Sequence, residues 1–205
     1  DSMQVYDTLQ VLTARPDAAD LARVPPYLYG HVSPQSDYSL GHWVTDAAAA
    51  LAQARANGQI PVFTGGTGLY FRALLHGLAD IPDIPASVRE GLRARLEDEG
   101  VLALHAELKT RDPKLAVRLH PNDPQRILRG LEVIEATGRA LSDWQADTQE
   151  PLLSEPAASL MLAPSRDWLY ARCDARFESM LVDGAAQAEV AALSALHLPP
   201  QAMAL

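Results

Sequence analysis

Gln59-Ile60-Pro61-Val62-Phe63-Thr64-Gly65-Gly66-Thr67-Gly68-Leu69-Tyr70-Phe71 decides the fold class of this 205-residue chain. Its first six residues are an apolar run too short for a helix and bounded by Gly58 and Gly65, which predicts a buried strand over 59–64. The glycine-threonine stretch then stands at the carboxyl end of that strand and opens a helix through Leu74 and Leu75. Open α/β sheets place ligands at such points, because the unpaired N–H groups and positive dipole end of a helix start suit an anion or a polar substrate edge. Gly-Gly-Thr serves equally as a plain tight turn from strand to helix, so the stretch alone leaves both readings open.

Working outward, Tyr27-Leu28-Tyr29-Gly30-His31-Val32 reads as a short strand, and Val5 to Ala22 as irregular with a turn at Thr13-Ala14-Arg15-Pro16. Ser39 caps a helix whose apolar stripe runs Trp43, Ala47, Leu51, Ala54 and stops at Asn57-Gly58. Strand, helix, strand predicts a parallel α/β sheet with right-handed crossovers. From the proline-marked link Ile81-Pro82-Asp83-Ile84-Pro85 the texture becomes purely helical, with helices expected at 86–98, 101–110, 112–119, 124–137 and 141–148. Ser159 to Leu162 returns as a strand, Ser165 caps a helix through Leu169, Arg172, Arg176 and Met180, and a last helix covers 184–196. The expected organisation is an α/β core in two parts, 1–82 and 154–205, with a helical domain over 83–153 inserted between them. The chain opens on Asp1 with no initiator methionine, and its tail beyond Pro199-Pro200 closes no recognisable domain, so a missing part is expected at each end.

Composition sets the outer limits: 48% of residues are hydrophobic and 21% charged, enough for one sizeable core or a core with a smaller lobe. No apolar run approaches the roughly 18 residues that span a bilayer, so no membrane partner is expected. Cys173 is the single cysteine, which excludes an internal disulfide and fits a reducing cytoplasm. The net charge of −9 argues against nucleic-acid binding. Its distribution removes that objection for the middle of the chain, where Ala86 to Arg139 holds ten basic residues against nine acidic ones while the remainder holds seven against seventeen. Most of these arginines suit ordinary i to i+4 ion pairs on solvated helix faces.

The six histidines, at 31, 42, 76, 105, 120 and 197, have no partner at i+4, and there is no Cys-x-x-Cys, so no zinc or transition-metal site is expected. No Gly-x-Ser-x-Gly elbow, Rossmann fingerprint or Gly-x-x-x-x-Gly-Lys-[Ser/Thr] phosphate loop occurs. A diphosphate site therefore needs completion from upstream.

The ordered set Asp1-Ser2-Met3-Gln4-Val5-Tyr6, Thr13-Ala14-Arg15-Pro16, Val24-Pro25, Tyr38-Ser39, Gly65-Gly66-Thr67-Gly68-Leu69-Tyr70, His120-Pro121-Asn122-Asp123-Pro124-Gln125-Arg126-Ile127-Leu128-Arg129 and Leu131-Glu132-Val133 resembles the tRNA dimethylallyltransferase (tRNA isopentenyltransferase) family. The resemblance runs through the whole chain. It implies a P-loop NTPase-like parallel-sheet core with an inserted all-helical domain, the phosphate loop and the basic C-terminal segments of the family lying outside this sequence. It also implies the reaction: transfer of a dimethylallyl group from dimethylallyl diphosphate to N6 of the adenine immediately 3′ of the anticodon, releasing diphosphate with Mg²⁺ held by ligands in the missing N-terminal part.

By the same resemblance Asp1 is the general base that takes the proton of the attacking amine, an amine that is too poor a nucleophile unaided. Asp1, Ser2, Met3, Gln4 and Thr67 are expected to contact the substrate tRNA, whose target base must leave its stack first. Thr67 is placed beside the channel where base and diphosphate meet, and is therefore grouped with Asp1 as catalytic. Arg89 and the element Gln125, Arg126, Ile127, Leu128, Arg129 are expected on the tRNA as well, with Arg126 and Arg129 three apart on one helical face. An internal pair of Arg129 with Glu132 or Glu135 is the competing assignment. Arg166 is expected near the diphosphate. Tyr38 and Trp43 are assigned to the core. The resemblance implies action on the tRNA anticodon stem-loop, and a monomer in the cytoplasm is expected. Its competitors are a prenyltransferase of free adenine nucleotides and a non-catalytic RNA-binding relative.

Overall fold

The computed structural model describes residues 1–147, 150–182, 184–199, 202 and 204, and the chain divides into two compact units, Asp1–Leu75 with Leu152–Leu205, and His76–Pro151. The bounds 76 and 151 stand beside the 83 and 153 read from the sequence. Ten α-helices occur among the described residues: α1 Ala18–Arg23, α2 Leu40–Ala56, α3 Gly68–His76, α4 Ala86–Glu99, α5 Val101–Arg111, α6 Pro113–Ala116, α7 Pro124–Thr137, α8 Leu141–Ala146, α9 Arg166–Val182 and α10 Ala185–Ala195. Thr148, the expected end of the last helix of the insertion, and the tail positions Pro200 and Leu205 lie outside the described residues.

In the first unit, α2 starts where Ser39 Oγ accepts the His42 N–H while His42 Nδ1 accepts the Ser39 N–H, a reciprocal capping box. Its buried face is Trp43, Ala47, Leu51 and Ala54, the stripe expected from 3.6-residue spacing. Trp43 stacks on Tyr70 of α3 with ring centroids 3.9 Å apart, and both join Val5, Tyr6, Leu9, Val32 and Leu74 in one apolar cluster. Burial raises the Tyr70 hydroxyl to about 12. Tyr38 is likewise structural, its hydroxyl donating to Asp46 Oδ2 at 2.7 Å. α1 falls in a stretch that reads as irregular; Asp17 nonetheless nucleates it by accepting the N–H groups of Ala19 and Asp20 at 2.8 and 2.9 Å. With no buried residue it offers no periodic signal in the sequence.

The strands are the main correction. Among the described residues no strand ladder forms at 27–32, 59–64 or 159–162; one isolated parallel bridge joins Tyr6 to Val32, supported by the bond from Asp7 N to Val32 O at 3.0 Å and that from Val32 N to Val5 O at 3.0 Å. The second and third runs are apolar but exposed: Ile60 is 89% exposed, Val62 78% and Leu160 89%. Local pattern encodes a face that needs burial, whereas a strand also needs a paired neighbour, and no described segment pairs with 59–64 or 159–162. Among the described residues the parallel α/β sheet is thus reduced to a single bridge between the end of the first expected strand and Tyr6, in a stretch read as irregular.

The second unit is an all-helical bundle around Leu92, Leu104, Leu108, Ile127, Leu131, Val133 and Ile134. α7 supplies its central face, and Gly130 lets it approach closely, since a Cβ there would stand 2.8 Å from Leu115 Cδ2 and 2.9 Å from Leu108 Cδ1. Pro124 at the first turn and Asp123, accepting the Arg126 N–H at 3.1 Å, start α7; Gly138 in the left-handed conformation ends it. Asp112 is buried with both oxygens used, one on Leu115 N at 3.0 Å and one on Ser142 N at 2.9 Å.

A charged strap crosses the outside of the bundle. Arg95 donates to both oxygens of Glu99 and, at 2.6 Å, to Glu107, which also accepts from Arg111 at 2.8 Å. The Arg95 bond first, and the Arg111 bond after the opposing cost of burial, hold the Glu107 carboxyl below its ordinary 4.5. A carboxyl depressed by folding adds stability above its unfolded value and loses it as the pH falls through the folded value. Glu107→Gln is therefore expected to cost about 1 kcal/mol at pH 7. The gap to the parent, read from urea midpoints, closes as the pH drops below 4.5. A gap of the same size at acid pH removes the strap from the stability of the unit.

Candidate functional site

In the first unit the chain's first residues meet the start of α3. Gly65, at φ +151, makes this possible: a Cβ there would lie 2.8 Å from the backbone nitrogen of Asp1 and 3.1 Å from its Cα. The glycine loop admits a close backbone approach, as its composition predicts, and the backbone it admits is that of Asp1. Gly66 N–H donates to Asp1 Oδ2 at 3.2 Å and Met3 N–H to Asp1 Oδ1 at 3.1 Å, so each carboxylate oxygen holds one main-chain donor. Thr67 Oγ1 accepts the Ser2 N–H at 2.9 Å and donates to Ser2 Oγ at 3.2 Å. The Thr67 hydroxyl is committed to Ser2, while its main-chain carbonyl accepts from Tyr70 and Phe71 at the start of α3.

Asp1, Met3, Gln4, Gly65 and Gly66 form one side of a cleft of about 740 Å³. Thr13, Ala14, Arg176 and the apolar side chains of Leu9, Leu12, Leu193 and Ala204 complete it. Ser2 and Thr67 are not among its lining residues; they brace the chain beside Asp1 through the bonds just described. Gln4 donates from Nε2 to the carbonyls of Thr13 and Ala14 at 3.1 and 3.0 Å. A pinned carboxylate on an accessible wall keeps lone pairs free and can accept a proton from a donor in the cleft.

Arg166, expected near the diphosphate, begins α9 and is not on this wall. Arg176 is, ten residues further along, about 15 Å up the same helix. Among the described residues no three of His, Cys, Asp and Glu cluster in a way that could hold a metal ion.

The arginine element belongs to the second unit. Arg126 is 74% exposed and pairs with the capping Asp123 at 2.9 Å; Arg129 reaches Glu132 at 3.8 Å, the internal pairing named as its alternative. Gln125 is exposed on the same turn and Arg89 is half-buried on α4. Ile127 corrects the expected contact set: it is 0% exposed in the bundle core, so its side chain meets leucines and no ligand, and Leu128 packs against the same core. The stretch His120 to Arg126 has a structural job besides, because Asp123 N bonds His120 O at 3.0 Å in a turn that delivers the cap of α7.

Three comparisons bear on this geometry. The IPP transferase family profile matches residues 4–205. The tRNA dimethylallyltransferase of Rhodopseudomonas palustris strain BisB18 is 59% identical over 201 residues, covering 98% of this chain and 63% of the relative, and that of Azorhizobium caulinodans is 56% identical over 97% of this chain and 64% of its own. The chain thus spans under two thirds of the length of these curated relatives. Among solved structures, a eukaryotic dimethylallyltransferase acting on tRNA superposes with a TM-score of 0.72 at 26% identity, covering 96% of this chain and 48% of that one. The full-length tRNA isopentenylpyrophosphate transferase of Bacillus halodurans gives 0.55 at 28% identity over 100% of this chain and 62% of its own. With a family profile matching from residue 4 to residue 205, this chain belongs to the IPP transferase family.

Proposed function

We propose that this chain is the adenine-receiving part of a tRNA dimethylallyltransferase, in which N6 of the adenine 3′-adjacent to the anticodon attacks C1 of dimethylallyl diphosphate. The C–N bond forms as the C–O bond to the diphosphate breaks, the electron pair leaves with the diphosphate, and one N6 proton passes to Asp1. The names of the relatives support the substrate pair, and one observation supports the chemistry: the Asp1 carboxylate is fixed on the cleft wall by the N–H groups of Met3 and Gly66. In this proposal Ser2, Met3, Gln4 and Thr67 shape the base pocket, Arg176 takes over from Arg166 on the cleft wall as the cation for leaving-group charge, and Arg89, Gln125, Arg126 and Arg129 face the anticodon stem-loop.

Magnesium is part of the proposed reaction, where it supplies charge neutralisation for the leaving diphosphate. The donors at the cleft do not fit it: one carboxylate, both of whose oxygens already accept N–H bonds, makes no octahedral cage. No step above runs through the metal, and no residue of this chain is assigned to it. The exposed apolar segments at Ile60, Val62 and Leu160 support the wider fold reading, a P-loop NTPase-like nucleotide-binding sheet in which they pair with strands of the complete enzyme. No helix among the described residues is long and apolar enough to cross a membrane, and a monomer in the cytoplasm is the proposed setting.

The complete protein, supplied with labelled dimethylallyl diphosphate and offered an anticodon stem-loop beside AMP, is expected to label the RNA. Label in AMP alone overturns the tRNA reading, and label in neither overturns the enzyme.

A further inference from the structure

A carboxylate outside the proposed chemistry holds the cleft together. Glu189, on α10, accepts three consecutive main-chain N–H groups: Gln10 at 3.1 Å and Val11 at 2.7 Å on Oε1, and Leu12 at 3.0 Å on Oε2. Successive amides converging on one point form a nest that prefers an anion, and each such bond to a charged acceptor is stronger than a neutral one. From α9, Arg176 grips the carbonyls of the same residues, Leu12 O at 2.9 Å and Val11 O at 3.5 Å. The segment is therefore held by a negative charge on its donors and a positive charge on its acceptors.

What the segment carries is a turn. Arg15 N bonds Gln10 O at 2.9 Å and Ala14 N bonds Val11 O at 3.2 Å, with Ala14 in the left-handed region at φ 52, a conformation that a non-glycine residue adopts only under constraint. The far side of the turn presents the Thr13 and Ala14 carbonyls to Gln4 Nε2, which spends both of its amide hydrogens on them. The orientation of the Gln4 side chain on the cleft wall is thus set by the turn, and the turn by Glu189.

We infer that Glu189 is a positioning residue of the transferase cleft, acting on bound substrate through the 10–14 turn and Gln4. This inference rests on the proposed function for its activity readout only. In the complete protein, Glu189→Gln keeps the shape but sets an amide donor against main-chain donors, and is expected to lower kcat about tenfold, within the range that small misplacements of a site group cause, with KM for dimethylallyl diphosphate within about twofold. The same substitution in a Gln4→Ala background is expected to cost less than about twofold, since the group it positions is gone. In parallel, hydrogen exchange at the Gln10, Val11 and Leu12 amides quickens in Glu189→Gln. Equal kcat losses in both backgrounds, or unchanged exchange at the three amides, overturn the inference. A parent protein that transfers nothing overturns the proposed function instead, and the exchange measurement then still decides the role of Glu189. Should Glu189→Gln fail to fold, Glu189→Asp, which keeps the charge at a shorter reach, enters the same cycle.

Discussion

Asp1→Ala in the complete protein is expected to lower the rate of dimethylallyl transfer by about 10²- to 10⁴-fold, the range that a positioned general base supplies, while tRNA binding stays within a few-fold. The split follows from what the carboxylate does. In the proposed reaction it receives a proton from N6 as the C–N bond forms, so its contribution exists in the transition state and is nearly absent from the ground-state complex. Its two anchoring bonds, from Met3 N–H at 3.1 Å and Gly66 N–H at 3.2 Å, are local and tie it to the glycine loop, so its loss leaves the arginine face of the helical unit untouched. Single-turnover transfer with saturating substrates is the deciding measurement. Asp1→Asn separates charge from shape: it retains one acceptor oxygen but cannot take the proton, and is expected to fall as far as alanine. Turnover within tenfold of the parent in either variant removes Asp1 from the proton transfer and leaves it a brace for Gly66.

The site is legible in the sequence to the extent that local chemistry encodes it. The Gly65 to Thr67 stretch declares a point of close approach, and Ser39, the Trp43 to Ala54 stripe and the Asp123-Pro124 start of α7 are readable because caps and 3.6-residue periodicity are local. Two kinds of residue escape. Glu189 and Arg176 act on residues 10–12 from more than 160 positions away, and nothing in their neighbours announces that partnership. Ile127 escapes for the opposite reason: it sits inside the motif that carries the resemblance, and a motif does not say which of its side chains face inward. Its helical position, with Leu131 and Ile134 on the same face, holds that information. The expected strands mark a third limit, since an apolar run fixes what should be covered and leaves open what covers it.

The double substitution Arg126→Ala with Arg129→Ala is expected to weaken binding of the anticodon stem-loop about 10- to 100-fold, reduce the slope of log K against log salt, and leave dimethylallyl diphosphate binding unchanged. The competing assignment is an internal one, and the geometry gives its strength. Arg126 pairs with Asp123 at 2.9 Å but is 74% exposed, and Arg129 stands 3.8 Å from Glu132, so each bond is a surface pair of at most about 1 kcal/mol that a phosphate can replace. If the arginines were structural, their loss would appear as instability of α7, whose start depends on the Asp123 cap and whose buried face is Ile127, Leu131 and Ile134. Because that face and that cap are intact in the double variant, its urea midpoint is expected to stay near the parent's. Binding loss with a reduced salt slope and an unchanged midpoint assigns the pair to the phosphates. An unchanged slope with a lowered midpoint returns them to the bundle, and the stem-loop must then be gripped elsewhere, with Arg89 and Gln125 the next residues to substitute.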